Sequence, residues 1–461
     1  MPLILPGNVG SATAATGFNV DNSCRFDRAS SDDFTKSSSG GSRRKATFSA
    51  WLKWGIHVGT STEQGIFESH DGTNYFSVYT DGKNLRANNT GGTGDAIYST
   101  QVLRDPSAWY HVVIAVDSDQ GTASNRFRMY INGSEVTSFS AAVYPTENED
   151  MKFNGSGTIQ VGGGAAGNWD GYMAEVVWID GSQLAPDQFG EFDSDSGIWK
   201  PIDVSGLTFG TNGFYLDFKD SANLGNDANG GTDLGENNIV ANNQSIDTCT
   251  NNFCTMNPLY PDGTITFSEG NLKLTEGNSW RSAGGTMAVS TGKWFWEVSN
   301  VGNYAYIGFA DIQLFNEGCS IRESFTTGAA TTGRAHSVLN SDGRHYQVTS
   351  GGAQSSEYPS DATFPTFTNS IISIALNLDD NNFIFYKDGT AMNPSGNAIS
   401  ITAGTYIPAV SIYGNTVSYN FGSPSYSESG GNSDGNGYGN FSMAVPSGYF
   451  ALNTKNLAEY G

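Results

Sequence analysis

The chain has 461 residues, too many for one ordinary sandwich, and that length favours about two to four domains. Lys plus Arg number 23 against 46 Asp plus Glu, a net charge of −23, which speaks against a nucleic-acid grip or a hold on an anionic membrane surface. Glycine is 58 of 461, about 13% against an average of ~7%, and aromatics are 12%, so the chain is turn-rich and folded rather than a disordered acidic tail.

The opening residues, MPLILPGNVGSATAATGF, have no basic stretch and only a four-residue apolar patch, unlike a secretory signal. Residues 1–20 are expected to form an attachment segment. No run approaches the ~20 apolar residues of a membrane-crossing helix, so no membrane insertion is expected. A first strand is predicted over Ser23 to Phe26. Thr47 to Trp54, His111 to Val116 and Arg126 to Ile131 then alternate or run apolar and end at turns. Turn chemistry stands at Asp71-Gly72, Asp81-Gly82, Asn132-Gly133, Asp342-Gly343 and Asp388-Gly389. Helical spacing is missing, and the best short helix is Ala185 to Gly190. Residues 219–256, rich in Asn, Gly and Asp, read as a linker or an extended, surface-hugging connection. Residues 423–440 read as a long loop before a closing strand at Tyr449 to Leu452. The expected fold class is therefore all-β, two tandem antiparallel β-sandwiches over 21–218 and 257–461.

Cys24, Cys249, Cys254 and Cys319 are too few for a disulfide scaffold. They read as free thiols, although Cys249 and Cys254 are close enough in sequence to bridge or share a metal. A four-cysteine zinc site would need a second close pair.

Residues 21–218 resemble the laminin-G-like, concanavalin A-like lectin/glucanase sandwiches. The carrying strings are FSAWLKW (48–54), WYHVVIAVD (109–117), RFRMYINGSEV (126–136) and DGYMAEVVWIDGSQLAPDQFGEF (170–192). Residues 257–461 resemble a SPRY-type sandwich, through GKWFWEV (292–298), YIGFA (306–310), IALNLD (374–379), FIFYKDG (383–389) and YIPAV (406–410). The whole order, with SCRFDRASSDDF, DSGIWKPIDVSGLTFGTNGFYLDF and PSGYFALNTKNL, is similar to lectin-like structural proteins of marine bacteriophages. That resemblance implies a virion surface location, other virion structural proteins as partners and, by family habit, a homotrimer.

Glucanase chemistry on this fold needs two opposed carboxylates, ~5–5.5 Å apart in retaining enzymes. The nearest string, Glu191-Phe192-Asp193-Ser194-Asp195, follows the short helix and reads as an exposed loop. Glu175 is a single acid on a strand and reads as solvent-facing or hairpin-bonded. The histidines 57, 70, 111, 336 and 345 form no metal motif; His111 reads as structural, and His336 with His345 as a hairpin pair. The laminin-G resemblance implies a rim Ca2+ ion, for which Asp71, Asp81, Asp95, Asp117 and Asp119 are the candidates. Their competing reading is as turn residues bonding their own backbone. Sugar binding on such sandwiches stacks an exposed aromatic on the pyranose, with amides on the hydroxyls. The candidates are Tyr98, Tyr144, Trp169 with Asp170 beside it, and Trp280 in the second module; the competing reading of Trp169 is as an edge-packing residue. Trp51, Trp54, Trp178, Trp294 and Trp296 are expected in the core.

The expected function is a non-enzymatic virion surface protein, a fibre, spike or capsid-surface adhesin for host glycans. The alternatives are a scaffold touching only other virion proteins, and a glycan-degrading enzyme on the first sandwich.

Overall fold

The computed structural model describes residues 17–56, 62–90, 94–261, 264–299, 302, 304–316, 333–349, 353–355, 365–393 and 396–461. Nearly all of the expected attachment segment, together with His57 and Cys319, lies outside them. The chain divides into two compact modules, with the boundary between Thr250 and Asn251. Both are antiparallel β-sandwiches, the fold class that the alternation implies.

The first module packs two sheets. We call them back and front. The back sheet runs, in spatial order, Ser134–Glu135, Phe127–Ile131, Trp109–Asp117, Lys45–Trp54, Gly171–Asp180, Ser23–Phe26 and Gln244–Ser245, with Phe214–Leu216 also on Gly171–Asp180. The front sheet runs Phe139–Val143, Asp95–Val102, Asn84–Asn89, Tyr75–Asp81, Glu63–His70, Gly157–Val161, Asp33–Ser38 and Gly235–Asn237. Between them lies an aromatic core: Phe67 meets Trp178 at 4.6 Å and Phe48 at 4.9 Å, and Phe76 meets Phe153 edge-on at 5.2 Å. Edge-to-face and offset rings at these separations add stabilisation beyond buried area. The period-2 alternation that sends Phe76 and Val78 inward sends Ser77 and Tyr79 to the front surface, because successive side chains leave a strand on opposite faces.

The expected linker is a correction. Residues 219–250 belong to the first sandwich: Gly235–Asn237 adds to Asp33–Ser38 in the front sheet, and Gln244–Ser245 adds to Ser23–Phe26 in the back sheet. Their polar side chains do the fastening. Asp247 accepts from the buried ammonium of Lys53 at 2.6 Å and from the Trp109 indole at 3.2 Å. Asn243 donates to the Arg25 carbonyl and the Asp32 carboxylate. Asn and Asp bind by side-chain hydrogen bonds, which hydrophobic patterning does not register.

The second module packs the sheet Met256–Pro261, Arg281–Gly285, Tyr406–Ile412, Ala305–Asp311, Ala335–Leu339, Arg344–Thr349 and Ala353–Ser355 against a second sheet. That one runs Thr266–Ser268, Lys273–Glu276, Asn415–Asn420, Lys293–Ser299, Ile372–Asn377, Asn382–Lys387 and Thr390–Ala391. Trp294, Trp296 and Tyr419 are fully buried between them. The closing strand is Phe450–Ala451, parallel to Lys293–Ser299. Residues 423–440 are tied down by Asp434, which takes the backbone N–H groups of Asn436, Tyr438 and Ala451. The short helix expected near 185–190 is one 3-10 turn, Pro186–Gln188. The α-helix Thr454–Tyr460 was not expected; Asn453 caps it by accepting from the Asn456 N–H.

Candidate functional site

The front sheet of the first module carries the candidate site. Register places Gly65, Tyr79, Arg86, Tyr98 and Ala141 in one row across five strands. A second row holds Thr35, Gln160, Glu68, Ser77 and Asn88. The Arg86 guanidinium lies 4.7 Å over the half-exposed Tyr98 ring and is ion-paired with Asp81. The Tyr79 ring stands edge-on to Tyr98 at 6.4 Å, and its burial pushes the phenol pKa upward. Asp81 in turn lines a pocket of about 460 Å³ with Arg28, Thr62, Glu63, Ala165, Ala166 and Gly167.

One wall of that pocket is the loop Gly162–Asn168, bound down at two points. The Gly65 N–H donates to the Gly167 carbonyl at 3.0 Å, and the Ala165 N–H donates to Glu68 at 2.9 Å. The loop crosses so closely that a Cβ on Gly65 would lie 2.6 Å from the Gly167 oxygen and 2.8 Å from that of Gly163. Desolvation under the loop raises the Glu68 pKa. The Trp169 N–H closes the loop onto the Gly162 carbonyl at 2.8 Å.

That closure corrects the leading sugar-stacking candidate. Trp169 is fully buried, edge-on to Trp54 at 5.2 Å, and offers no ring face to solvent. Its neighbour Asp170 is buried too, and desolvation followed by the charge of Asp27 raises its pKa to about 7. Tyr144 packs against the edge of the core. Tyr98 does stand on the surface, beside Arg86. The site residues missed by sequence are Arg86, Tyr79, Glu63 and Arg28. Alternation in Asn84–Asn89, with Leu85 and Ala87 inward, puts Arg86 on the polar face, but which strands flank it follows only from register.

The structure does not bring the five candidate aspartates together at one point. Asp71 accepts the N–H groups of Thr73 and Asn74, which lower its pKa to about 2. Asp81 is held by Arg86 and the buried Asp95 by the Asn89 amide at 2.9 Å. Asp117 and Asp119 do meet, but around Lys45, 3.4 and 3.3 Å away, with Arg44 at 3.4 Å from Asp119. Cations already neutralise that pair. Among the described residues no group of three or more His, Cys, Asp or Glu is placed to share an ion.

Both carboxylates named for a hydrolase are already engaged by other side chains. Glu175 is buried, not solvent-facing. It sits at a bulge in Gly171–Asp180 with φ +50 and accepts from the Tyr215 hydroxyl at 2.6 Å, while desolvation raises its pKa to about 7. Glu191 is exposed and paired with Lys200. On the back sheet, Ser49 Oγ lies 2.9 Å from His111 Nε2, and Trp199 donates its indole N–H to His111 Nδ1 at 3.0 Å. With Nδ1 accepting, the ring proton belongs on Nε2 and is donated to Ser49, so the imidazole does not act as that serine's base. Burial keeps the ring neutral, with a pKa of about 3. In the second module His336 and His345 form the expected hairpin pair, stacked at 5.6 Å. Among the described residues Cys24, Cys249 and Cys254 form no disulfide with one another.

Residues 29–187 match the model of the concanavalin A-like lectin/glucanases superfamily. The match lies within the first module. Solved structures similar to this chain include domains LG4-5 of the mouse laminin alpha1 chain, at 10% identity over 86% of this chain and 82% of that one, TM-score 0.30. The SPRY domain of human HERC1 matches at 15% identity over 36% of this chain and 96% of its own, TM-score 0.27. A putative carbohydrate binding protein from Bacteroides ovatus ATCC 8483 matches at 17% identity, over 48% of this chain and 59% of that one, TM-score 0.34. No curated protein sequence matches.

Proposed function

We propose that the chain is a glycan-binding protein without catalytic activity, and that its first module holds saccharide on the front sheet. The observation that carries this reading is the contiguous Tyr98–Arg86–Asp81 array running into the Arg28 and Glu63 pocket. An aromatic face supplies the apolar contact for a pyranose, and guanidinium and carboxylate groups bind hydroxyls with fixed direction. The superfamily match over residues 29–187 supports it. Placement on a virion surface, with other virion proteins as neighbours, rests on the resemblance of the strings quoted above.

A glycan array followed by calorimetry tests the reading. Tyr98→Ala and Arg86→Ala are expected to weaken binding by about tenfold or more, as loss of a buried aromatic or arginine anchor does. Unchanged affinity in both variants contradicts it. Repeating the titration with calcium and with chelator decides metal dependence.

The hydrolase reading has one specific foothold: Glu63 and Asp81 are cross-strand partners and share the pocket. Release of new reducing ends from a bound polysaccharide, abolished by Glu63→Gln, would establish that reading in place of simple binding.

A further inference from the structure

We propose that the second module carries its own subsite for a neutral saccharide, built from Trp280, Tyr304 and Tyr413. This deepens the glycan-binding reading and rests on it. Register creates the site. Arg281, Ile412 and Ala305 are partners on three adjacent strands. One residue further out on each strand stand Trp280, Tyr413 and Tyr304, so three aromatics meet at the end of one sheet. Trp280 lies 5.7 Å from Tyr413 and 6.4 Å from Tyr304, and Tyr304 lies 6.1 Å from Tyr413. Beneath them Tyr306 meets Trp280 at 5.3 Å and backs the cluster.

The rings are held in place. The buried carboxylate of Glu276 accepts from Ser279 at 2.9 Å, from Asn278 at 3.2 Å and from Gly414 at 3.1 Å. One side chain thus fastens the loop bearing Trp280 to the turn bearing Tyr413. Asn415 accepts from the Gly302 N–H and Asn340 from the Ala305 N–H, fixing the segment on either side of Tyr304. Tyr304 itself has φ +57, a conformation that bulky side chains avoid, and the residue is 49% exposed. A strained backbone that displays an aromatic to water loses stability on both counts, and such outliers gather at binding sites.

The chemistry favours a sugar over a protein partner. The exposed large hydrophobics among the described residues of this module are Leu259, Tyr304 and Tyr413, and two of the three are rings of this cluster. The exposed Asn278 and Ser279 flank the rings and match hydroxyls. Glu276 is already filled by N–H donors, and a chain of net charge −23 repels anionic glycans, so a neutral hexose polymer is the fitting class.

Calorimetry of the full chain with cellohexaose, mannohexaose and a galactan hexamer tests this. Wild type is expected to show two sites per chain for at least one of them, and Tyr98→Ala one. Adding Tyr304→Gly or Trp280→Ala to Tyr98→Ala is expected to weaken the remaining site by about thirtyfold, the loss of one aromatic anchor. Tyr304→Gly is the decisive variant, because glycine relaxes the positive φ and the fold survives without the ring. A single site removed by Tyr98→Ala alone overturns the second subsite and leaves the front sheet standing. A single site in wild type that is unchanged by Tyr98→Ala and lost with Tyr304→Gly alone does the reverse. No heat with any of the three sugars, or a site that takes only a proline-rich peptide, overturns it as well.

Discussion

Asp170 and Glu175 are carboxyls pushed to a pKa of about 7, chiefly by desolvation. A raised carboxyl pKa means that the folded chain holds more protons than the unfolded one between the two values. Stability from these groups is therefore full below about pH 4 and is lost as pH climbs through about 7. The shifts correspond to upper figures of about 4 kcal/mol for Asp170 and about 3 kcal/mol for Glu175. The melting temperature of the first module is expected to fall more steeply between pH 5 and pH 8 in the wild type than in the Asp170→Asn, Glu175→Gln variant. Parallel pH profiles would refute the assignment. At His111 the expectation concerns a tautomer: Trp199→Phe removes the donor to Nδ1 and costs about 1–3 kcal/mol. Nitrogen-15 NMR of the imidazole checks it, with the proton on Nε2 in wild type. At this scale the sequence was legible where burial alone decides. Trp54, Trp178, Trp294 and Trp296 sit in the cores as alternation implies. Trp169 takes its packing reading rather than the stacking one, because a glycine-rich approach resembles a rim loop. The loop doubles back between Gly162 and Trp169, and the indole goes inward.

Among elements, the loop Gly162–Asn168 shows how a glycine on one strand shapes a wall on another. Gly65→Ala has no room beneath the Gly163 and Gly167 carbonyls. It is expected to lift the loop, cost about 1–3 kcal/mol and open the pocket. Amide exchange at Gly65 and Ala165 reads the result; unchanged protection would mean that the crossing is looser than described. Strand positions were readable because apolar alternation is a period-2 signal. The bulge at Glu175 was not, since a bulge inserts one residue and leaves local composition untouched. The front-sheet site was half legible. Tyr98 is recognisable from its type, but its meeting with Arg86 and Asp81 depends on pairing across three strands.

For the molecule as a whole, the two-sandwich organisation follows from the chain's length and turn spacing, while the boundary does not follow from composition. Residues 219–250 look like a tether and instead complete both sheets of the first module. A fragment ending at 250 is expected to fold with a cooperative melt. One ending at 218 loses Asp247 and with it the buried ion pair to Lys53, a penalty of about 3–5 kcal/mol that unfolds a marginal domain. Equal stability of the two fragments would restore the tether reading. The account as a whole stands on saccharide recognition at the Tyr98–Arg86 array, and one titration addresses it. The full-length chain, matched against its Tyr98→Ala variant, is followed by calorimetry on the leading array glycan. Saturable heat that largely disappears in the variant, with the glycan recovered intact, is the predicted result. Identical isotherms, or a glycan recovered in fragments, would contradict it.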